Sequence, residues 1–515
     1  MATDIRQNNK RIAKNVLFLY FRMFLIIAVS LYTSRVVLNV LGVTDYGIYN
    51  VIGGVVALMG LLNGAMTSAT NRFFAFELGN NDEVALKRTF SMSINIYMIV
   101  ALFIVFLAET IGLWFVNTQL VIPSDRLVAA NYAYQFSVVT CIVALFTIPF
   151  NASIIAHEDM NVFAYVSILE VLLKLGVVYL INLFSFDKLC FYSTLLFLVS
   201  ISITISYGIY CRSHYSECRY SFDWDKGLFK KLVSYSSWNL FGASAAVVKS
   251  QGLNVLLNVF FDPSVNASRG ISAQVSAAVK QFGNNFFMAV RPQIIKYYAQ
   301  GDLTNMFNLV IRSAKMTTFL LLALALPLYI DAPFIIRLWL GQMPDYVVVF
   351  TRLMLIISVV EVMSNPIMAS CHATGRVALY QSVVGTIIIL NVPVSYVFLK
   401  FGCPPPTVYV ISFIITTVAF YVRLLILKRL IPTFPVLRFN FESVVRGIIV
   451  CAFSIIIPVW FHQHHTGTLL DLILLIIIYE TCLFISILFL GLNKEERNIL
   501  FSFVKNKIHK WFTLN

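Results

Sequence analysis

The chain is 515 residues long, 59% hydrophobic and only 12% charged, with 38 Lys and Arg against 24 Asp and Glu. Soluble domains carry about 25% charged residues, so the composition excludes a soluble multidomain protein and marks one that crosses a membrane many times. The net charge of +14 is what lysine- and arginine-rich cytoplasmic loops produce, and it requires no nucleic acid as partner.

The first elements form a hairpin. Val16 to Val40 and Ile48 to Ala69 are apolar runs of about 25 and 22 residues, each long enough to cross about 30 Å of hydrocarbon. Gly42-Val43-Thr44-Asp45 breaks them. Arg22 falls near the middle of the first run, and Gly60 and Gly64 in the second have the small-xxx-small spacing that lets another helix approach closely. The first run is too long for a signal-peptide core and lacks a small-residue cleavage site, so it is expected to stay in the mature protein. Further apolar segments follow at 89–115, 129–151, 161–184, 189–211, 233–260, 267–290, 313–339, 346–369, 378–399, 407–427, 441–461 and 468–491. The expectation is an all-α integral membrane protein of about 14 transmembrane helices. No connection exceeds about 25 residues, which leaves no room for a soluble catalytic domain.

The hairpin recurs. Leu38-Asn39-Val40-Leu41 matches Leu257-Asn258-Val259-Phe260, and Arg72 matches Arg291. Pro149-Phe150-Asn151-Ala152-Ser153 then matches Pro366-Ile367-Met368-Ala369-Ser370, and His157, Val162, Tyr165 and Ser167 match His372, Val377, Tyr380 and Ser382. Colinear matches with a slowly drifting offset indicate a duplicated half. The expected organisation is a first six-helix half (1–211), a cytoplasmic linker (212–232), a second six-helix half (233–430), two additional helices (431–491) and a cytoplasmic tail (492–515). Lysines and arginines concentrate at alternate boundaries, among them Lys87, Arg88, Arg219, Lys230, Lys231, Arg312, Lys315, Lys428 and Lys505. Both termini are therefore expected on the cytoplasmic side. With an even number of helices per half, the repeats are parallel and related by an axis along the membrane normal, with a central cavity between them.

Among the cations within the runs, Arg22, Lys174, Lys249, Arg269 and Lys280 are the candidate site residues. Facing lipid at mid-depth, each would cost about 2.5 to 3.5 kcal/mol. Lys174 follows Glu170 by one helical turn, and an internal salt bridge accounts for it. Arg269, Lys280 and Arg291 recur every eleven residues, three turns plus about 20°, and so form a stripe on one helix face that also carries Ser276. Interfacial anchoring explains the two arginines equally well, but not Lys280. Lys249 has Gly242, Ala245 and Ala246 on its own face, which leaves room beside its ammonium. Neither Arg22 nor Lys249 has an acid on its own helix, so an anionic ligand, water or a distant carboxylate must serve each. The candidate anion-binding set is thus Arg22, Lys249, Arg269, Lys280 and Arg291. Glu109 and Glu361 are candidates for coupling to an ion, H+ or Na+, although a neutral hydrogen-bonded carboxyl is the simpler reading.

No metal site or cofactor is expected. Of the eight cysteines none forms a C-x-x-C pair, Cys211, His214 and Cys218 lack a fourth ligand, and His462, His464 and His465 sit in a loop. Phosphate-loop, nucleophile-elbow and zinc-protease motifs are missing, so the chain is not expected to be an enzyme.

Arg35, Leu41-Gly42 and Asp45-Tyr46-Gly47-Ile48-Tyr49-Asn50, leading through a Gly-rich helix to Arg72, resemble the start of bacterial polysaccharide repeat-unit flippases of the O-antigen type. These belong to the multidrug/oligosaccharidyl-lipid/polysaccharide exporter superfamily. The resemblance covers roughly 12–430, and Asp262-Pro263-Ser264 departs from the pattern in the second half. It implies a multi-pass protein of the bacterial inner membrane that moves an undecaprenyl-diphosphate-linked oligosaccharide from the cytoplasmic to the outer leaflet by alternating access. Its partners would be that substrate, membrane lipids and a polysaccharide polymerase. The competing readings are a cation-coupled drug exporter of the same superfamily, expected to place acids in its first-half cavity, and a membrane polymerase or glycosyltransferase, expected to carry a larger external loop.

Overall fold

The computed structural model describes residues 15–29, 61–118, 122–181, 186–261, 263–340, 343–463, 468–494 and 496–498, with scattered positions between 32 and 56 and at 120 and 183. All regular structure among the described residues is helical. In chain order the longer helices are α1 (Asn15–Val29), α2 (Leu61–Gly79), α3 (Glu83–Thr118), α4 (Ser124–Ala156), α5 (Met160–Ile181), α6 (Lys188–His214) and α7 (Lys226–Phe260). Then come α8 (Pro263–Ala299), α9 (Leu303–Ile330), α10 (Val347–Ala373), α11 (Val377–Lys400), α12 (Thr407–Leu430), α13 (Val436–Gln463) and α14 (Leu469–Gly491).

Of these, 11 are long and apolar enough to span a membrane, namely α3–α7 and α9–α14. The apolar segments expected from residue 89 onward fall on these helices, the runs Val16 to Val40 and Ile48 to Ala69 lie in part outside the described residues, and the protein is a multi-pass membrane protein. The matched repeat positions lie on the helices in corresponding order: Arg72 and Arg291 on α2 and α8, Asn151 and Met368 on α4 and α10, Tyr165 and Tyr380 on α5 and α11.

The faces are inverted relative to a soluble bundle. On α1, Asn15, Leu19 and Met23 are buried, while Leu17, Phe21 and Phe24 are exposed. The outward face is apolar because its solvent is lipid, and polar groups turn inward where they find partners. Small inward residues then let helices touch: a Cβ on Gly283 of α8 would stand 2.5 Å from Val362 of α10 and 2.7 Å from Leu321 of α9. Gly60 lies outside the described residues, and a Cβ on Gly64 would meet nothing within 4 Å, so no close approach is seen at that expected seam.

The chain divides into two compact units that interleave in sequence. The first contains Met1–Ala246, Met288–Met306 and Ala369–Gly385; the second contains Val247–Phe287, Phe307–Met368 and Thr386–Asn515. The C-terminal end of α8 and the turn from α10 to α11 thus pack with the first-half helices. In the first unit Ile295 and Ala373 join Phe74, Phe90, Ala152 and Tyr207 in one apolar core. In the second, α13 and α14 pack on α9 through Val450, Tyr479, Leu483, Phe319, Leu322 and Leu326.

Lys315, counted among the cations at a cytoplasmic boundary, is fully buried inside α9. Its Nζ donates to Glu496 Oε2 at 2.5 Å, beyond α14. Glu496 is fixed there by a reciprocal cap, accepting from the Asn493 backbone N–H at 3.0 Å and donating its own N–H to Asn493 Oδ1 at 2.9 Å.

Candidate functional site

The first unit contains a cavity of about 990 Å³ whose lining comes from α1, α4, α5, α6 and the stretch between α1 and α2. Arg22 reaches into it from α1, its guanidinium 4.5 Å from the centre of the Phe163 ring. The arginine edge is left over. Nε and Nη1 are shielded from solvent and have no hydrogen-bond acceptor among the described residues. Glu170, which also lines the cavity, is engaged by Lys174 at 2.5 Å, as the one-turn spacing predicts.

Four of the lining hydroxyls share one arrangement. Ser137 Oγ donates to Ala133 O at 2.7 Å, Thr140 Oγ1 to Phe136 O at 2.7 Å, Ser167 Oγ to Phe163 O at 2.7 Å and Ser193 Oγ to Leu189 O at 2.8 Å. Each hydroxyl proton is spent on the preceding turn of its own helix, so what faces the cavity is oxygen lone pairs. Asn151 Oδ1, another lining acceptor, is buried without a donor. A ligand that satisfies this cavity must bring acceptors, preferably anionic, to Arg22, and donors to the hydroxyl rows.

The second unit holds a different arrangement. Lys249 of α7 and Lys280 of α8 share the carboxylate of Glu361 on α10, at 3.3 and 3.1 Å. Of the partners open to Lys249, the structure supplies the distant carboxylate, Glu361, which it shares with Lys280, and two cations against one anion leave this site positive. Arg269 is held by neutral groups, Nη2 donating to Ser250 O at 2.5 Å and Nη1 to Asn254 Oδ1 at 3.3 Å. Ser276, on the same stripe, is hydrogen-bonded to Ser358 at 2.7 Å.

The stripe on α8 does not act as a single surface. Its last member, Arg291, belongs to the first unit and donates from Nη2 to Ser68 Oγ at 2.9 Å, leaving Nε without an acceptor. Arg72, its repeat counterpart, donates to Ala373 O at 2.9 Å and lies against Phe73 and Phe76. The room expected beside Lys249 at Gly242 is taken: a Cβ there would overlap Gln381 Oε1. Glu109 sits in a π-turn of α3, exposed, with Gln135 donating to it at 3.3 Å. No cation pairs with it among the described residues. No group of His, Cys, Asp and Glu able to hold a metal occurs among the described residues; His464 and His465 lie outside them.

Sequence reasoning missed the hydroxyl rows and Asn151, although Ser137, Thr140, Thr147 and Asn151 follow spacings of three, seven and four residues that put them on one face of α4.

No family model matches the sequence, and no curated protein matches it. Solved structures do. An outward-facing multidrug resistance MATE family transporter of the MOP superfamily superposes with a TM-score of 0.71 at 12% identity, over 82% of this chain and 97% of that one. A MOP superfamily transporter from Pyrococcus furiosus, described by the reverse polarity of its binding pocket, gives 0.68 at 12% over 84% and 97%. The MATE transporter ClbM in complex with Rb+ gives 0.66 at 16% over 84% and 97%. At these identities the likeness is one of fold: this chain has the fold of the MATE transporters of the MOP superfamily.

Proposed function

We propose that the protein is a flippase for a lipid-linked oligosaccharide carried on an isoprenoid diphosphate, moving it from the cytoplasmic to the outer leaflet for surface polysaccharide assembly. The observation that carries the proposal is Arg22. A buried guanidinium edge without an acceptor, in an apolar setting, is costly unless a ligand completes it, and a diphosphate supplies the charge and geometry that an arginine fork matches. The hydroxyl rows around it face donors, which sugar hydroxyls provide. The positive Lys249–Glu361–Lys280 site supports the same polarity of substrate. Undecaprenol as the lipid rests on the sequence resemblance.

The competing reading, export of cationic drugs, is favoured by the fold of the multidrug transporters, but it needs an acid available in the cavity, and Glu170 is committed to Lys174. The test measures binding of a short-chain isoprenoid diphosphate and of a cationic dye to the purified protein. Arg22→Gln is expected to weaken diphosphate binding roughly 10- to 100-fold, the loss of charge-assisted hydrogen bonds, while Arg22→Lys retains part of it. Undiminished diphosphate binding by Arg22→Gln, or tight binding of the dye by the parent, overturns the proposal.

A further inference from the structure

A second buried charge cluster lies at the end of the first unit that the lysine and arginine bias assigns to the cytoplasm. It is built on the turn between α4 and α5, where His157 and Asp159 reach the stretch that follows α6 and Glu158 reaches α1 and α8. His157 Nε2 lies 2.7 Å from Glu217 Oε1, and its ring stacks on Tyr215 at 4.2 Å. Asp159 Oδ2 accepts from the Tyr215 hydroxyl at 2.6 Å. Glu158 is the centre. Its backbone carbonyl accepts from Asn15 Nδ2 of α1 at 2.9 Å, and its Oε1 accepts from Gln293 Nε2 and Lys296 Nζ of α8, both at 2.7 Å. The Glu158 side chain is 0% exposed.

Three features distinguish this cluster from ordinary packing. Glu158 holds φ at +64°, a left-handed conformation that costs a residue with a Cβ about 1 to 2 kcal/mol and that the surroundings must enforce. The fastening is ionic in a place where apolar groups of similar volume would hold at least as well, and ionic contacts can be exchanged for others. Finally, α8 is weakened beside it. The helix passes from the second unit to the first between Phe287 and Met288, and Pro292 removes the backbone hydrogen bond that the Met288 carbonyl would accept. Just beyond this point Lys296 also packs against the end of α2, where a Cβ on Gly79 would stand 3.0 Å from Lys296 Cα and 2.9 Å from Ala299 Cβ.

We infer that Glu158 is a latch: it fastens the cytoplasmic end of α8 to the first unit, and its release lets that end pivot at Met288–Pro292 to open the cytoplasmic side. The inference rests on reading the chain as a transporter but not on the identity of the substrate. Its test is hydrogen exchange on the full-length protein in lipid nanodiscs, without substrate, so a failed flippase proposal leaves it standing. Glu158→Gln and Lys296→Gln are each expected to speed exchange about tenfold or more in α8 beyond Met288 and at the end of α2, leaving α12–α14 unchanged. The exchanged pair, Glu158→Lys with Lys296→Glu, is expected to restore slow exchange. Unchanged exchange at the end of α8, or equal acceleration throughout the protein, overturns the latch; in the second case Glu158 is a brace of the fold as a whole.

Discussion

Removing the last two helices should do more than remove an appendage, because they deliver the only carboxylate that the structure gives Lys315 among the described residues. Lys315 is completely buried and 2.5 Å from Glu496, and Arg312 approaches the other oxygen of the same carboxylate at 3.6 Å. Breaking a buried ion pair from one side leaves a charge without compensation and costs about 3 to 5 kcal/mol, whereas replacing both partners with apolar or neutral groups is often neutral. Truncation after residue 435 strands Lys315 and also uncovers Phe319, Leu322 and Leu326. Two arms separate these effects. In the full chain, Glu496→Gln is expected to lower stability by about 3 kcal/mol, and Lys315→Met with Glu496→Gln to regain most of it, read as resistance to denaturation in detergent and as abundance in the membrane. In the truncated chain, Lys315→Met is expected to raise membrane abundance several-fold. If the truncated protein with Lys315 intact accumulates like the parent, or if Glu496→Gln is as stable as the parent, the buried-charge argument is wrong.

The Glu361 site makes an asymmetric prediction. Lys280→Gln leaves Glu361 paired with Lys249 at 3.3 Å and is expected to cost about 1 kcal/mol or less, whereas Glu361→Gln leaves two neighbouring lysines without an acid and is expected to lower membrane abundance; equal effects of the two substitutions would refute the shared carboxylate. A pH effect is expected at the opposite end of the first unit, where Arg126 bridges Asp187 at 2.5 Å and Asp45 at 2.6 Å. The hydrogen bond from Arg126 holds the Asp187 carboxyl below its ordinary value, so its stabilising contribution is complete above about pH 4 and fades as pH falls through the lower folded value. Thermal denaturation between pH 7 and pH 3 should therefore show a smaller acid-induced loss in Asp187→Asn than in the parent, and identical pH profiles would exclude the clasp.

What the sequence made legible follows from the solvent. Lipid forces every span to be long, helical and apolar, so the helices could be read from hydropathy, and a cation inside an apolar run stands out whatever its surroundings. That is how Arg22, Lys249, Arg269 and Lys280 emerged. Their partners were not legible, because a contact such as Lys249–Glu361 joins residues far apart in the chain and no single-helix periodicity encodes it. The same blindness produced the two misplacements. Gly242 looked like empty space until Gln381 filled it, and Lys315 looked like a boundary cation because the residue that buries with it lies beyond α14.

Glu158 was hidden for a related reason, and the reason bears on how such a protein works. Its turn carries no lysine or arginine, and the bias that orients membrane helices counts cations in loops. Here the cation is on α8 and the loop supplies the acid. Interlocking of that kind requires an element that belongs to one half by covalent order and to the other by packing. The end of α8 is such an element, with Arg291, Gln293 and Lys296 all bonded within the first unit. Apolar contacts there would hold equally well but could not be released by neutralising a single group. A polar fastening, next to a proline that removes a helix hydrogen bond, confines the attachment to a few named groups that a single substitution can release.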